Sequence, residues 1–100
     1  MKMEIMDNKN GNELSIKLVG KLDTNTSHQL EEFIQNNIEG VEKLVYDFEE
    51  LLYISSSGLR VLLSSQKIMN TQGEMEINNV NEFVMEVFEA TGFIDIMNIN

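Results

Sequence analysis

In the first part of the chain, apolar positions recur every second residue. Leu14, Ile16 and Leu18 alternate with Ser15 and Lys17, and Met3 and Ile5 form a shorter run before them. Such alternation sends every other side chain to one face of a sheet, so both runs predict half-buried strands. Between them lies Asp7 to Asn12, a turn cluster whose Asn10-Gly11 pair predicts a hairpin. Then the period changes. After the polar stretch Gly20 to Ser27, Leu30, Phe33, Ile34 and Ile38 fall at helical spacing, with Glu31, Glu32 and Gln35 on the other side. Thr24, Asn25 and Thr26 are each competent to cap this helix. Thr26 and Gln29 form a candidate capping box, and Gly40 closes the helix.

Leu44-Val45-Tyr46-Asp47-Phe48 is a compact apolar run that predicts an interior strand. Glu49 to Leu52 connects it to a triple serine and a glycine, Ser55-Ser56-Ser57-Gly58. From Ser56 onward Leu59, Leu62, Leu63 and Met69 share one helical face, widened by Val61 and Ile68, and Gly73 stops the helix. Glu74 to Asn78 alternates again with Met75 and Ile77 inward. Asn79 and Glu82 form a second candidate capping box, before a last helix with Phe83, Val84, Val87 and Phe88 inside and Gly92 at its end. Phe93, Ile94, Ile96 and Ile99 in the tail are expected to pack on the domain. The order is strand, strand, helix, strand, helix, strand, helix. It predicts crossover connections, largely parallel pairing and an α/β fold: a mixed sheet of four to five strands with helices covering one face.

Composition narrows the function classes. One hundred residues are expected to form one domain, spanning 1–100. Lys plus Arg is 7 and Asp plus Glu is 17, so the formal charge is −10. An acidic chain repels phosphate backbones and anionic lipid, which argues against nucleic-acid and membrane partners and favours a partner with a basic surface. The same charge also serves plain solubility. No cysteine is present, so no disulfide framework or thiolate metal site exists, in keeping with a cytoplasmic location. The first residues carry no leader-like apolar run, and no segment is long enough to span a bilayer.

The chemistry of an enzyme is not found. Ile54 stands two before Ser56, where a nucleophile elbow needs glycine. The single histidine, His28, falls on the polar side of the first helix and reads as a surface residue. No glycine-rich phosphate loop occurs, and Glu31-Glu32 and Glu49-Glu50 are adjacent pairs that point to different faces, so no metal or cofactor is implied. The seven methionines sit at scattered apolar positions and read as core filler.

The serine turn admits two readings. Structurally, Ser55 or Ser56 caps a helix, Ser57 occupies its first turn, and Gly58 permits close packing. Functionally, a hydroxyl there is exposed beside free amide donors, a plausible seat for a phosphoryl group. Here the residues resemble a family. Asp47-Phe48 followed by Tyr53-Ile54-Ser55-Ser56-Ser57-Gly58-Leu59-Arg60-Val61-Leu62 is similar to the signature of STAS domains, in particular the bacterial anti-sigma factor antagonists. Leu18-Val19-Gly20-Lys21-Leu22-Asp23, with Thr26 and Leu30, resembles the family's Gly-x-Leu-Asp segment and first helix. Gly73-Glu74-Met75 and Val87 to Phe93 add a weaker match, so the likeness covers almost the whole chain.

The resemblance implies a non-enzymatic switch. Its unphosphorylated form would bind an anti-sigma factor that is also a serine kinase, freeing a sigma factor. Phosphorylation would switch binding off, and a PP2C-type phosphatase would reset it. By motif position the phosphorylated residue is Ser56. Many antagonists carry Asp where this chain has Ser55, so Ser55 and Ser57 remain alternatives. Asp23, Ser55, Ser57, Gly58, Leu59 and Arg60 are the expected partner-binding residues, and a monomer is expected when the protein is free. Asp23 has turn and cap chemistry as an equal role, Gly58 close packing within the domain, Leu59 anchoring to the core, and Arg60 a solvated charge. Three rival readings stand beside the switch: an unphosphorylated STAS subunit regulating a transporter, a signalling scaffold, and, as the weakest, an enzyme.

Overall fold

The computed structural model describes residues 3–100; Met1 and Lys2 lie outside them. Strands β1 (Glu4–Asn10) and β2 (Glu13–Leu22) form the expected antiparallel hairpin, with Glu4 opposite Val19 and Asn10 opposite Glu13. The turn is shorter than the polar cluster implied. Asp7 to Asn10 belong to β1, because the ladder with Glu13 to Ile16 pairs their backbone whatever their side chains. Gly11 supplies the positive φ of 62° at the reversal.

Helix α1 (Thr24–Asn37) follows, then β3 (Lys43–Asp47), β4 (Leu51–Ile54), α2 (Ser56–Gln72), β5 (Glu74–Asn78) and α3 (Glu82–Thr91). A short 3-10 turn (Phe93–Asp95) and β6 (Asn98–Ile99) complete the chain. The sheet runs β1-β2-β3-β5-β6, and β4 pairs with the far end of β2. All pairings but the first are parallel, so the sheet is mixed.

Among the described residues the mixed sheet has six strands, one beyond the expected four to five. Where the sequence predicts a connector from Glu49 to Leu52, Leu51 already opens β4; its Leu51 and Ile54 are buried while Leu52 and Tyr53 are exposed, which breaks the period of two. It pairs with β2 beyond an irregularity between Gly20 and Lys21. Of the tail residues expected to pack on the domain, Phe93 and Ile99 are partly buried but Ile94 and Ile96 are exposed; the tail also adds β6 beside β5.

Leu14, Ile16, Leu18, Leu44, Tyr46, Met75 and Ile77 make the inner face of the sheet. β3 is central but buried on one face only; Lys43, Val45 and Asp47 face outward. There Lys17 bonds Glu50 at 2.8 Å and Lys43 bonds Glu76 at 3.2 Å.

Leu30, Ile34 and Ile38 from α1 and Leu59, Val61, Leu62 and Met69 from α2 fill the core. Phe33, Leu63, Ile68 and Val87 are only partly buried. Of the four positions expected inside α3, Val84 and Phe88 are buried, whereas Phe83 is 52% exposed. Phe88 stacks between Phe48 and Phe93. Gln72 at the end of α2 donates to the carbonyls of Ile38 (3.1 Å) and Val41 (2.7 Å), tying the two helices together.

Both capping expectations need correction. α1 is capped by Asp23 with Thr26, not by Thr26 with Gln29. Gln29 instead donates to the Met3 carbonyl. α3 is capped by Asn81, whose side chain accepts from the Val84 amide at 2.9 Å, not by Asn79 with Glu82. Asn79 takes a left-handed conformation (φ 61°) in the turn before it.

Candidate functional site

β2 and β4 run parallel with Leu22 level with Ile54, so both strands end at the same edge of the sheet. The next residue of each is a helix cap: Asp23 starts α1 and Ser55 starts α2. A hydrogen bond from the Ser55 amide to the Leu22 carbonyl, 2.9 Å, locks the two strand ends together. Two helix N-termini therefore stand side by side, and the Gly20-Lys21-Leu22-Asp23 segment and the serine turn become one surface.

Asp23 is fully engaged in local structure. Its Oδ1 accepts from the amides of Asn25 (3.0 Å) and Thr26 (2.9 Å), while Thr26 Oγ1 accepts from the Asp23 amide at 2.8 Å and donates to the Lys21 carbonyl at 2.7 Å. The Thr26 amide bond, first among these, holds the Asp23 carboxyl below its ordinary pKa. The residue is a charged cap beside the serine turn, with its outer edge open to solvent.

Ser55 Oγ accepts from the Gly58 amide at 3.2 Å, the N-cap bond that fixes where α2 begins. Its hydroxyl has structural work, and the side chain is partly buried. Ser56, the first residue of α2, is exposed, and no hydrogen bond among the described residues holds its hydroxyl. Ser57 is half-buried. It lines a shallow cleft of about 90 Å³ between α1 and α2, together with Ser27, His28, Glu31, Arg60 and Val61. Of the other serines in α2, Ser64 is exposed. Ser65 is fully buried, its hydroxyl 2.9 Å from the Tyr46 hydroxyl and bonded to the Val61 carbonyl.

Gly58 and Leu59 pack against the domain's own core. A Cβ on Gly58 would lie 2.7 Å from Leu22 Cγ and 3.1 Å from Ile54 Cγ1, so the glycine lets α2 settle onto the ends of β2 and β4. Leu59 is 8% exposed and belongs to the core. Both place the turn; neither offers a side chain to an incoming surface. Arg60 is exposed, one helical turn after Ser56. Sequence reasoning missed two features of this edge. Leu52 and Tyr53, 58% and 40% exposed, present apolar surface just before the turn. His28, read as an ordinary surface residue, lies across the cleft from Ser57 and Arg60.

A model of the STAS domain matches residues 4–100. The chain belongs to the STAS domain family. It is 37% identical over 81 residues to BtrV of Bordetella bronchiseptica, a match covering 79% of this chain and 70% of that protein. To the anti-sigma F factor antagonist of Paenibacillus polymyxa it is 35% identical over 91 residues, 86% of this chain and 76% of the relative. The structure of the Bacillus cell fate determinant SpoIIAA in its phosphorylated form superposes with a TM-score of 0.77 at 22% identity, over 97% of this STAS chain and 91% of that one. The mixed sheet with three helices is thus the STAS fold. Among the described residues, no helix is long and apolar enough to cross a membrane. None of their His, Cys, Asp or Glu side chains form a group of three or more that could hold a metal ion.

Proposed function

We propose that this STAS domain is an anti-sigma factor antagonist whose binding is switched by phosphorylation of Ser56. The observation that carries the reading is the exposed Ser56 hydroxyl at the first position of α2, with Ser55 before it spent as the helix cap and Ser57 after it half-buried. Support comes from relatives named as antagonists and from the similarly folded SpoIIAA, which exists in a phosphorylated form. The unmodified protein binds an anti-sigma factor with serine kinase activity, and a PP2C-type phosphatase reverses the modification. No catalytic group of its own takes part, and the free protein works as a monomer in the cytoplasm.

The physics of the switch is local. A phosphoryl group adds roughly −1.5 to −2 charge and three acceptor oxygens. A helix N-terminus tolerates that charge, so the fold is retained. The penalty falls at the interface, where bulk and a desolvated dianion meet a close-fitting surface. A loss of about 3 kcal/mol weakens binding more than a hundredfold.

The test is a pull-down from the native cell, followed by reaction with the recovered kinase and ATP and mapping of the phosphate by mass spectrometry. Phosphate on Ser56 is expected, with Ser56→Ala retaining partner binding and Ser56→Asp weakening it. Modification confined to Ser64, or recovery of a transporter instead of an anti-sigma factor, overturns the reading.

A further inference from the structure

We propose that Arg60 is the intramolecular holder of the phosphoryl group on Ser56, folding it back along α2 toward the cleft shared with α1. The inference rests on the phosphorylation reading given above and extends it to the state of the phosphate once attached. Ser56 and Arg60 are four residues apart on one helix, so their side chains rise on the same stripe, about 5–6 Å apart at Cβ. The arginine lies C-terminal to the anion, the order that also suits the helix dipole. Both side chains are exposed, so neither must leave the core to meet the other.

Arg60 is also unspent. Lys17 and Lys43 are paired with glutamates on the outer sheet face, whereas no ion pair among the described residues includes Arg60. Glu31, on the opposite wall of the cleft, is not paired with it either. A planar guanidinium with five N–H donors matches a phosphate bidentately, which an ammonium cannot do. It is the only arginine in a chain of net charge −10, and the only histidine, His28, lines the same cleft. The acidic chain thus places its single guanidinium where this one modification would need it.

The consequence is a phosphate held as the dianion by its own chain, less free to meet an incoming phosphatase. Arg60 is a positioning residue in this scheme: it moves no bond and acts on the lifetime and charge of the modified state.

The experiment uses the full chain with phosphoserine installed at position 56 by codon reassignment, so its result does not depend on any kinase choosing Ser56. With one arginine in the sequence, the side-chain Nε–Hε signal belongs to Arg60 alone. That signal is expected to shift on phosphorylation in the unmutated chain. In parallel, ³¹P titration should show the second phosphate pKa about half a unit lower in the native chain than in Arg60→Ala, with the difference shrinking at high salt. An unmoved Nε–Hε signal together with equal phosphate titrations in the two chains overturns the proposal, whatever the kinase is later found to modify.

Discussion

Adding one methyl group at Gly58 tests how the core sets the position of the switch. The Cβ of Gly58→Ala would lie 2.7 Å from Leu22 Cγ and 2.9 Å from Leu22 Cδ2. Ordinary carbon contacts are about 3.5–4.0 Å, so the overlap is close to 1 Å. Leu22 is fully buried, and the nearest atom is its branch point rather than a free end. It cannot swing aside without pressing on other core atoms. Overpacking of this kind costs about 1–3 kcal/mol. Alanine recovers up to about 1 kcal/mol of helix propensity over glycine. The net loss is about 0–2 kcal/mol, which lowers Tm by up to roughly 16 °C in a domain of this size. Calorimetry on Gly58→Ala, Leu22→Ala and the double variant checks the origin of the loss. Leu22→Ala alone costs about 2–5 kcal/mol through its cavity. In the double variant the new methyl occupies part of that cavity, so the combined loss should fall short of the sum by at least about 0.5 kcal/mol. Strict additivity would refute the contact. Gly58→Ala should also tilt the first turn of α2 and weaken partner binding, because Ser56 moves with it.

Three further outcomes follow from the same coordinates. Ser65→Ala leaves the buried Tyr46 hydroxyl without its partner and should cost about 1–3 kcal/mol, whereas adding Tyr46→Phe to it should recover most of that loss in denaturant unfolding. Gly73→Ala would push a Cβ to 1.9 Å from the Glu42 carbonyl oxygen, a backbone atom that also accepts from the Glu74 amide; thermal melting should show a loss of at least about 3 kcal/mol, and a native-like Tm would contradict the close approach of Gly73 to the Glu42 backbone ahead of β3. For Asp23 the folded pKa lies below its ordinary 3.8, so the cap's contribution is complete above that value and disappears as pH falls through the lowered one. The stability gap between the native chain and Asp23→Ala should therefore be constant near neutral pH and close in acid below about pH 3.8; a gap that widens in acid would show the sign to be wrong.

Much of this architecture was legible because its strands and helices announce themselves by period. β2, β5 and α2 carry clean patterns, and their buried sets follow them closely. β4 was not fully legible. Its two buried residues flank two exposed ones, so β4 itself shows no alternation, and it pairs with β2 beyond a register shift between Gly20 and Lys21. Caps were missed for a related reason. Several Asn, Thr and Asp residues precede α1 and α3, all chemically competent, and only the backbone path decides that Asp23 and Asn81 reach the free amides. Phe83 was misplaced because it sits at the margin of the apolar stripe of Val84, Val87 and Phe88, in the first turn of α3, where helical spacing alone does not separate buried from exposed.

The site was legible in a different sense. Sequence spacing joined Ser56 to Ser55, Ser57 and Gly58, and the family likeness joined them to Asp23, but neither gave a physical reason for the pair of segments to meet. That reason is the parallel register of Leu22 with Ile54, which carries two caps to one edge. The same register explains why exposure divides as it does along the turn. Ser55 must turn inward to cap, Gly58 must lie against Leu22, and Leu59 must enter the core, so the backbone leaves Ser56 and Arg60 as the side chains that project freely. A modification at Ser56 therefore alters surface charge without disturbing a single core contact. On the proposed reading, the domain changes what it binds while keeping the shape by which it binds.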